Sequence, residues 1–182
     1  MTLANAVDPY GTVGRAIHWI TAVLVIGLLG MGKLAHIDVE DGGALYVLHG
    51  SLGVLVLLLV IARIGWRLLT ARPVTPETLS PIERRISKSV HVGFYVLLAL
   101  LPVSGWLLAS AEQGAVSFFN LVSLPSLKIA AGGGGEEFFE ELHELLGNAL
   151  LMLVVLHVLA ALKHHFIDRD GILRRMIPAL RR

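Results

Sequence analysis

Long uninterrupted runs of apolar residues dominate the chain, and four stand out, at residues 13–32, 44–66, 90–111 and 138–162. A helix needs about 20 residues to cross the hydrocarbon of a bilayer, and each run reaches that length. None alternates apolar and polar positions as a barrel strand would. Lipid offers no hydrogen-bond partners, so a spanning segment must satisfy its backbone internally, and the runs predict helices. The expected fold is an all-α membrane protein, a single four-transmembrane-helix bundle over residues 1–182. The first run reads as a retained helix, because Arg15, His18 and Trp19 stand near its start and no small-residue cleavage site follows.

Composition narrows the class further. Of 182 residues, 55% are hydrophobic and 16% charged, with a mean hydropathy of +0.73. Soluble domains carry about 25% charged residues, so an ordinary soluble globule is excluded. The absence of cysteine excludes disulfides, iron–sulfur clusters, thiolate metal sites and cysteine nucleophiles.

Charge sets an expected orientation. The connection at 33–43 is short and holds Asp38, Glu40 and Asp41; that at 67–89 is basic and holds Pro73, Pro76 and Pro81. The third, 112–137, carries a semi-apolar stretch at 116–129, the glycines 132–135 and then glutamates. Four spans place both termini on one side. The termini and the second connection hold thirteen of the fifteen Lys and Arg, while Lys33 and Lys128 stand on the other side. Basic residues gather on the cytoplasmic face, so both termini are expected in the cytoplasm. Nine of the fourteen carboxylates fall on the outer side. The basic residues adjoin the spans, where topology and anionic lipid head groups account for them, and no nucleic-acid partner is expected.

Eight histidines are present, several inside apolar runs. A polar side chain in hydrocarbon is costly without a partner, which marks it as functional; the plainer alternative is a histidine bonding a neighbouring helix. His143 and His157 are 14 residues apart on the fourth helix. At about 100° per residue they fall about 40° short of four turns, on nearly one face, and about 21 Å apart along the axis. The up-and-down topology puts His18 of the first helix level with His157, and His49 of the second level with His143. Two stacked bis-histidine pairs suit two b-type haems, since bundle cores commonly hold cofactors between facing helices. Zinc, the rival metal, usually takes at least three protein ligands in one cluster. Gly50, Ser51, Gly53 and Gly147 beside the ligands would let a flat macrocycle approach, or would simply allow tight helix packing.

The remaining histidines divide. His91 falls at the inner level, as a substitute ligand, a hydrogen-bond partner for a haem propionate or quinone, or an interfacial residue. His164 and His165 read as interfacial and His36 as solvated. Arg15, Arg63 and Arg67 suit haem propionates or snorkel to the interface. Trp19, Trp66 and Trp106 read as interfacial or packing aromatics. Glu136, Glu137, Glu140, Glu141 and Glu144 complement the amino end of the fourth helix, or form a docking patch for a cationic partner.

The chain resembles the bacterial cytochrome b561 family, di-haem membrane cytochromes related to the cytochrome b subunits of nickel–iron hydrogenases and formate dehydrogenases. The matching residues are Tyr10 with Arg15-Ala-Ile-His-Trp19, then Leu48-His-Gly-Ser-Leu-Gly53, and on the third helix His91 with Leu101-Pro-Val-Ser-Gly-Trp106. They continue through His143-Glu-Leu-Leu-Gly147, His157, Lys163-His-His-Phe166 and Arg174-Arg-Met-Ile-Pro178. The resemblance implies that His18, His49, His143 and His157 are axial ligands of two haem b groups. It also implies a bacterial inner-membrane location and electron exchange with ubiquinone and a periplasmic donor or acceptor. Some relatives are described as oxidising superoxide, but the acidic outer face repels an anion. The competing expectations are a haem-bearing anchor subunit of a hydrogenase- or dehydrogenase-type complex and a non-redox metal-binding transporter. A homodimer is compatible with the chain.

Overall fold

A computed structural model describes residues 11–35, 43–69, 80–112, 116–127 and 135–177. Its helices are α1 (Gly11–Ala35), α2 (Ala44–Leu69), α3 (Pro81–Glu112), α4 (Gly135–Lys163) and the short α5 (Ile172–Met176). The first four are long and apolar enough to cross a membrane, so the chain is a multi-pass membrane protein. The termini and His36 lie outside the described residues.

α3 begins at Pro81, nine residues before the apolar run. Local chemistry explains the earlier start. Ser80 Oγ accepts from the Glu83 amide at 3.3 Å, and Glu83 Oε2 accepts from the Ser80 amide at 3.0 Å. That is a reciprocal capping box with proline at the first helical position. The added turns carry Glu83, Arg84, Arg85 and Lys88 and extend the helix past the hydrocarbon. α4 continues through one π-helical turn, His164–Asp168. There Lys163 Nζ reaches Asp168 at 2.6 Å and Glu83 at 3.4 Å, and His164 Nδ1 stands 2.6 Å from Asp170. His164, expected at the interface, thus belongs to the knot that ties the carboxyl-terminal turn to α3 and α4.

α3 packs on α4, α1 on α2 and α2 on α3. The buried centre is one cluster of Val25, Val56, Val60, Leu98 and Leu150. Outside it, Val23, Ile26, Leu58, Ile61, Val96, Met152 and Leu159 are exposed and form the lipid-facing belt. Polar residues in the helices satisfy themselves: Thr21 Oγ1 donates to the Ile17 carbonyl at 2.7 Å and Ser110 Oγ to that of Trp106 at 2.7 Å.

The stretch expected as a semi-apolar connection contains an antiparallel hairpin, β1 (Val116–Phe118) and β2 (Val122–Leu124), with Phe118 opposite Val122. It is the one departure from an all-helical fold among the described residues, and it packs against α2 and α3.

Candidate functional site

Helical spacing brings the intramembrane histidines into two groups. In the outer one, His49 of α2 faces His143 of α4, with ring centroids 6.2 Å apart and planes at 73°. A metal about 2 Å from an imidazole nitrogen on each side, with about 1.1 Å from nitrogen to centroid, needs about 6.2 Å between centroids. The spacing therefore suits one metal between the two rings.

α3 builds the backing of this site. Ser104 Oγ donates to the Leu101 carbonyl at 2.8 Å and lies 3.0 Å from His143 Nδ1. The hydroxyl has one proton, already given to the carbonyl, so it accepts from Nδ1–H of neutral His143. That leaves the lone pair of His143 on Nε2. Gly105 makes room for the ring: a Cβ there would sit 3.0 Å from His143 Cε1 and 3.3 Å from Nδ1. The sequence places Ser104 and Gly105 in the matching run Leu101-Pro-Val-Ser-Gly-Trp106 without giving them a role, although a small pair inside an apolar run is a visible signal of close approach.

Between the rings and the buried core opens an apolar cavity of about 250 Å³. Val25, Leu28, Val56 and Leu98 line it together with the charged Lys33, Glu140 and Glu144. Gly53 and Gly147 also line it, and a Cβ at either would meet nothing within 4 Å. These glycines therefore face open space rather than a tight helix contact. His49 Nδ1 is buried without a hydrogen-bond partner among the described residues. Such an orphan costs about 1–3 kcal/mol and fits a ring meant to be held by a bound group. The donor set, the spacing and the open cradle all fit a bis-histidine haem.

The inner group is a triad. His157 of α4 lies 6.5 Å from His18 of α1, planes at 64°, and 6.0 Å from His91 of α3, planes at 81°. Phe94 completes the enclosure 5.2 Å from His157. His91 Nδ1 lies 2.6 Å from the Ser87 carbonyl; a carbonyl only accepts, so neutral His91 carries its proton there. Arg63 Nη1 lies 3.3 Å from His18 Nδ1. Arg63 and Arg67 also flank the Tyr95 ring at 6.0 and 5.7 Å. Trp19, 5.3 Å from His18, donates from Nε1 to the Met176 carbonyl at 3.0 Å, so α5 is held against the inner site.

The structure thus brings together both expected pairs, His18 with His157 and His49 with His143, and adds His91 to the first. His143 and His157 are 14 residues apart on α4, about 21 Å. Among the acidic residues, Glu144 pairs with Lys33 at 3.8 Å.

The family model of prokaryotic cytochrome b561 matches residues 9–179. The chain is 32% identical to cytochrome b561 homolog 2 of Escherichia coli K12, over 97% of this chain and 95% of the relative. It is 28% identical to the probable superoxide oxidase CybB of Yersinia pestis, over 94% and 97%, and 27% identical to cytochrome b562 of Cereibacter sphaeroides, over 88% and 90%. With four spanning helices and histidines clustered at two depths, this chain belongs to the prokaryotic cytochrome b561 family of membrane haem proteins that carry electrons.

Proposed function

We propose that the chain binds two haem b groups, one between His49 and His143 and one between His18 and His157, and moves single electrons across the membrane. The observation that carries this reading is the pair of imidazole spacings, 6.2 and 6.5 Å, at two levels of one bundle. Bound haem b supplies a one-electron iron couple. The chain supplies the rest. Ser104 fixes the tautomer of His143, the apolar lining excludes water, and Arg63 and Arg67 stand at the inner level where propionates would need partners.

On this reading both termini lie in the cytoplasm of a bacterial inner membrane, and the inner site exchanges electrons with the ubiquinone pool. A periplasmic donor or acceptor meets the outer site. One relative is named a probable superoxide oxidase, but in the orientation proposed this chain's outer face carries nine carboxylates against Lys33 and Lys128. Such a field favours a cationic or protein partner over an anion. Superoxide consumption by the purified protein well above that of free haem would overturn the preference.

The test is a dithionite-minus-air-oxidised absorbance spectrum of purified protein with its haem-to-chain ratio. Low-spin b-type bands at two haems per chain support the reading, and His→Ala at each of the four ligands then removes about one. No haem in a well-folded sample overturns it.

A further inference from the structure

The β1–β2 hairpin descends along the bundle rather than standing above it. Val25, Val56, Leu98 and Leu150 of the buried cluster each lie within about two residues of the middle of their helix, so they mark mid-height. From that level, at 1.5 Å per residue, Ser110 is about 18 Å up α3, Trp106 about 12 Å, and Ser51 about 7.5 Å up α2. The hairpin touches these residues in the same order. The Leu127 amide donates to Ser110 Oγ at 3.1 Å, Trp106 Nε1 donates to the Pro125 carbonyl at 3.0 Å, and the Phe119 amide donates to Ser51 Oγ at 2.7 Å. Half the hydrocarbon thickness is about 15 Å. The connection therefore enters near the interface and its turn lies well inside.

The turn is built as hydrocarbon demands. Phe119 and Asn120, with φ of 51° and 56°, are the central pair of a tight β-turn within the three-residue loop between Phe118 and Val122. Each amide of the turn is satisfied by protein: that of Phe119 by Ser51, that of Asn120 by Ser117 Oγ at 3.2 Å, and that of Leu121 by the Phe118 carbonyl at 2.9 Å. The Asn120 side-chain oxygen accepts from Ser117 Oγ at 3.0 Å. Water would serve a surface turn; non-helical backbone at membrane depth needs these partners. Large apolar side chains dominate the exposed face, with Phe119 38%, Leu121 81% and Val122 58% exposed, beside the smaller exposed Asn120 and Ser123.

We propose that the hairpin is re-entrant, dipping into the leaflet on the side of Glu112 and presenting Phe119, Leu121 and Val122 to lipid acyl chains. Lipid is the occupant because the tip lies at the depth of the spanning helices, beside their own lipid-facing belt. The inference rests on the spans alone and stands apart from the haem assignment.

The chain has no cysteine, so single spin-labelled cysteines report depth directly. Leu121→Cys, Leu58→Cys and Glu137→Cys are labelled in the full-length haem-loaded protein, in vesicles of phosphatidylcholine and phosphatidylglycerol. Power saturation is then measured with oxygen and with a water-soluble nickel chelate. Leu58 is 53% exposed near mid-height, and Glu137 is exposed in the first turn of α4. The label at 121 is expected to match that at 58, severalfold more accessible to oxygen than to the chelate. Chelate access equal to that at 137 overturns the proposal by placing the tip in water. Exclusion of both reagents also overturns it, and dipolar broadening at full labelling would then identify a second copy as the cover.

Discussion

Ser104 Oγ stands 3.0 Å from His143 Nδ1 and gives its own proton to the Leu101 carbonyl, 2.8 Å away. One hydroxyl therefore decides which nitrogen of the imidazole keeps a free lone pair. Removing such an outer partner of a metal ligand typically costs 10- to 100-fold in affinity. Ser104→Ala is expected to hold two haems as purified but to release the outer one about 10- to 100-fold faster to an excess of a haem-scavenging protein. Unchanged release would show that Ser104 does not orient the ligand.

Gly105 and Gly147 make opposite predictions about space. A Cβ at Gly105 collides with the His143 ring at 3.0 Å, whereas one at Gly147 meets nothing. Gly105→Ala is expected to displace His143 and lower the ratio from two haems towards one. Gly147→Leu is expected to do the same by filling the cradle, with no loss of thermal stability before haem is added. Two haems bound to Gly147→Leu would mean that the open space is not where a macrocycle lies.

Arg63 Nη1 touches His18 Nδ1 at 3.3 Å, and a positive charge there favours the reduced iron. At roughly 7 Å and an effective dielectric of about 20 the interaction is about 2 kcal/mol, on the order of 100 mV for one electron. Arg63→Gln is expected to lower the midpoint potential of the inner haem by up to that amount and leave the outer one in place. A redox titration resolving both components checks it; equal movement of both would point to a global change.

Much of the fold is legible from the apolar runs, because a bilayer forces helices of about 20 residues and leaves little choice of architecture. The pairing of His18 with His157 and of His49 with His143 follows from helix period and alternating direction. Other features escape such reasoning for physical reasons. Hydropathy sees hydrocarbon and not helix, so the charged first turns of α3 are invisible to it, although Ser80, Pro81 and Glu83 spell the start. The hairpin at 116–124 depends on a tight turn satisfied by Ser51, a contact between residues 68 apart in sequence. His91 is legible at the inner level, but its 6.0 Å approach to the His157 ring depends on packing of α3 on α4 that periodicity does not specify.

The capping box itself is testable. Ser80 and Glu83 satisfy each other's amides, and Lys163 reaches Glu83 from α4 at 3.4 Å. Ser80→Ala is expected to destabilise the protein by about 1 kcal/mol, and Ser80→Gly by only a few tenths. Both are read as thermal unfolding in detergent. Equal, negligible effects would mean that the first turns of α3 contribute nothing to the folded state.

His91 decides how the inner site is read. Its ring lies 6.0 Å from His157, closer than the 6.5 Å of His18, and its Nδ1–H is fixed by the Ser87 carbonyl. The tautomer leaves a lone pair on Nε2, so His91 has the equipment of a ligand. His18 nevertheless faces His157 from α1, across the bundle as His49 faces His143, and a macrocycle between them would be flanked by His91 rather than capped by it. His91→Ala is therefore expected to keep two haems per chain with low-spin bands and to alter only the inner potential, whereas His18→Ala loses one haem. The reverse outcome, one haem in His91→Ala and two in His18→Ala, would move the axial role from α1 to α3.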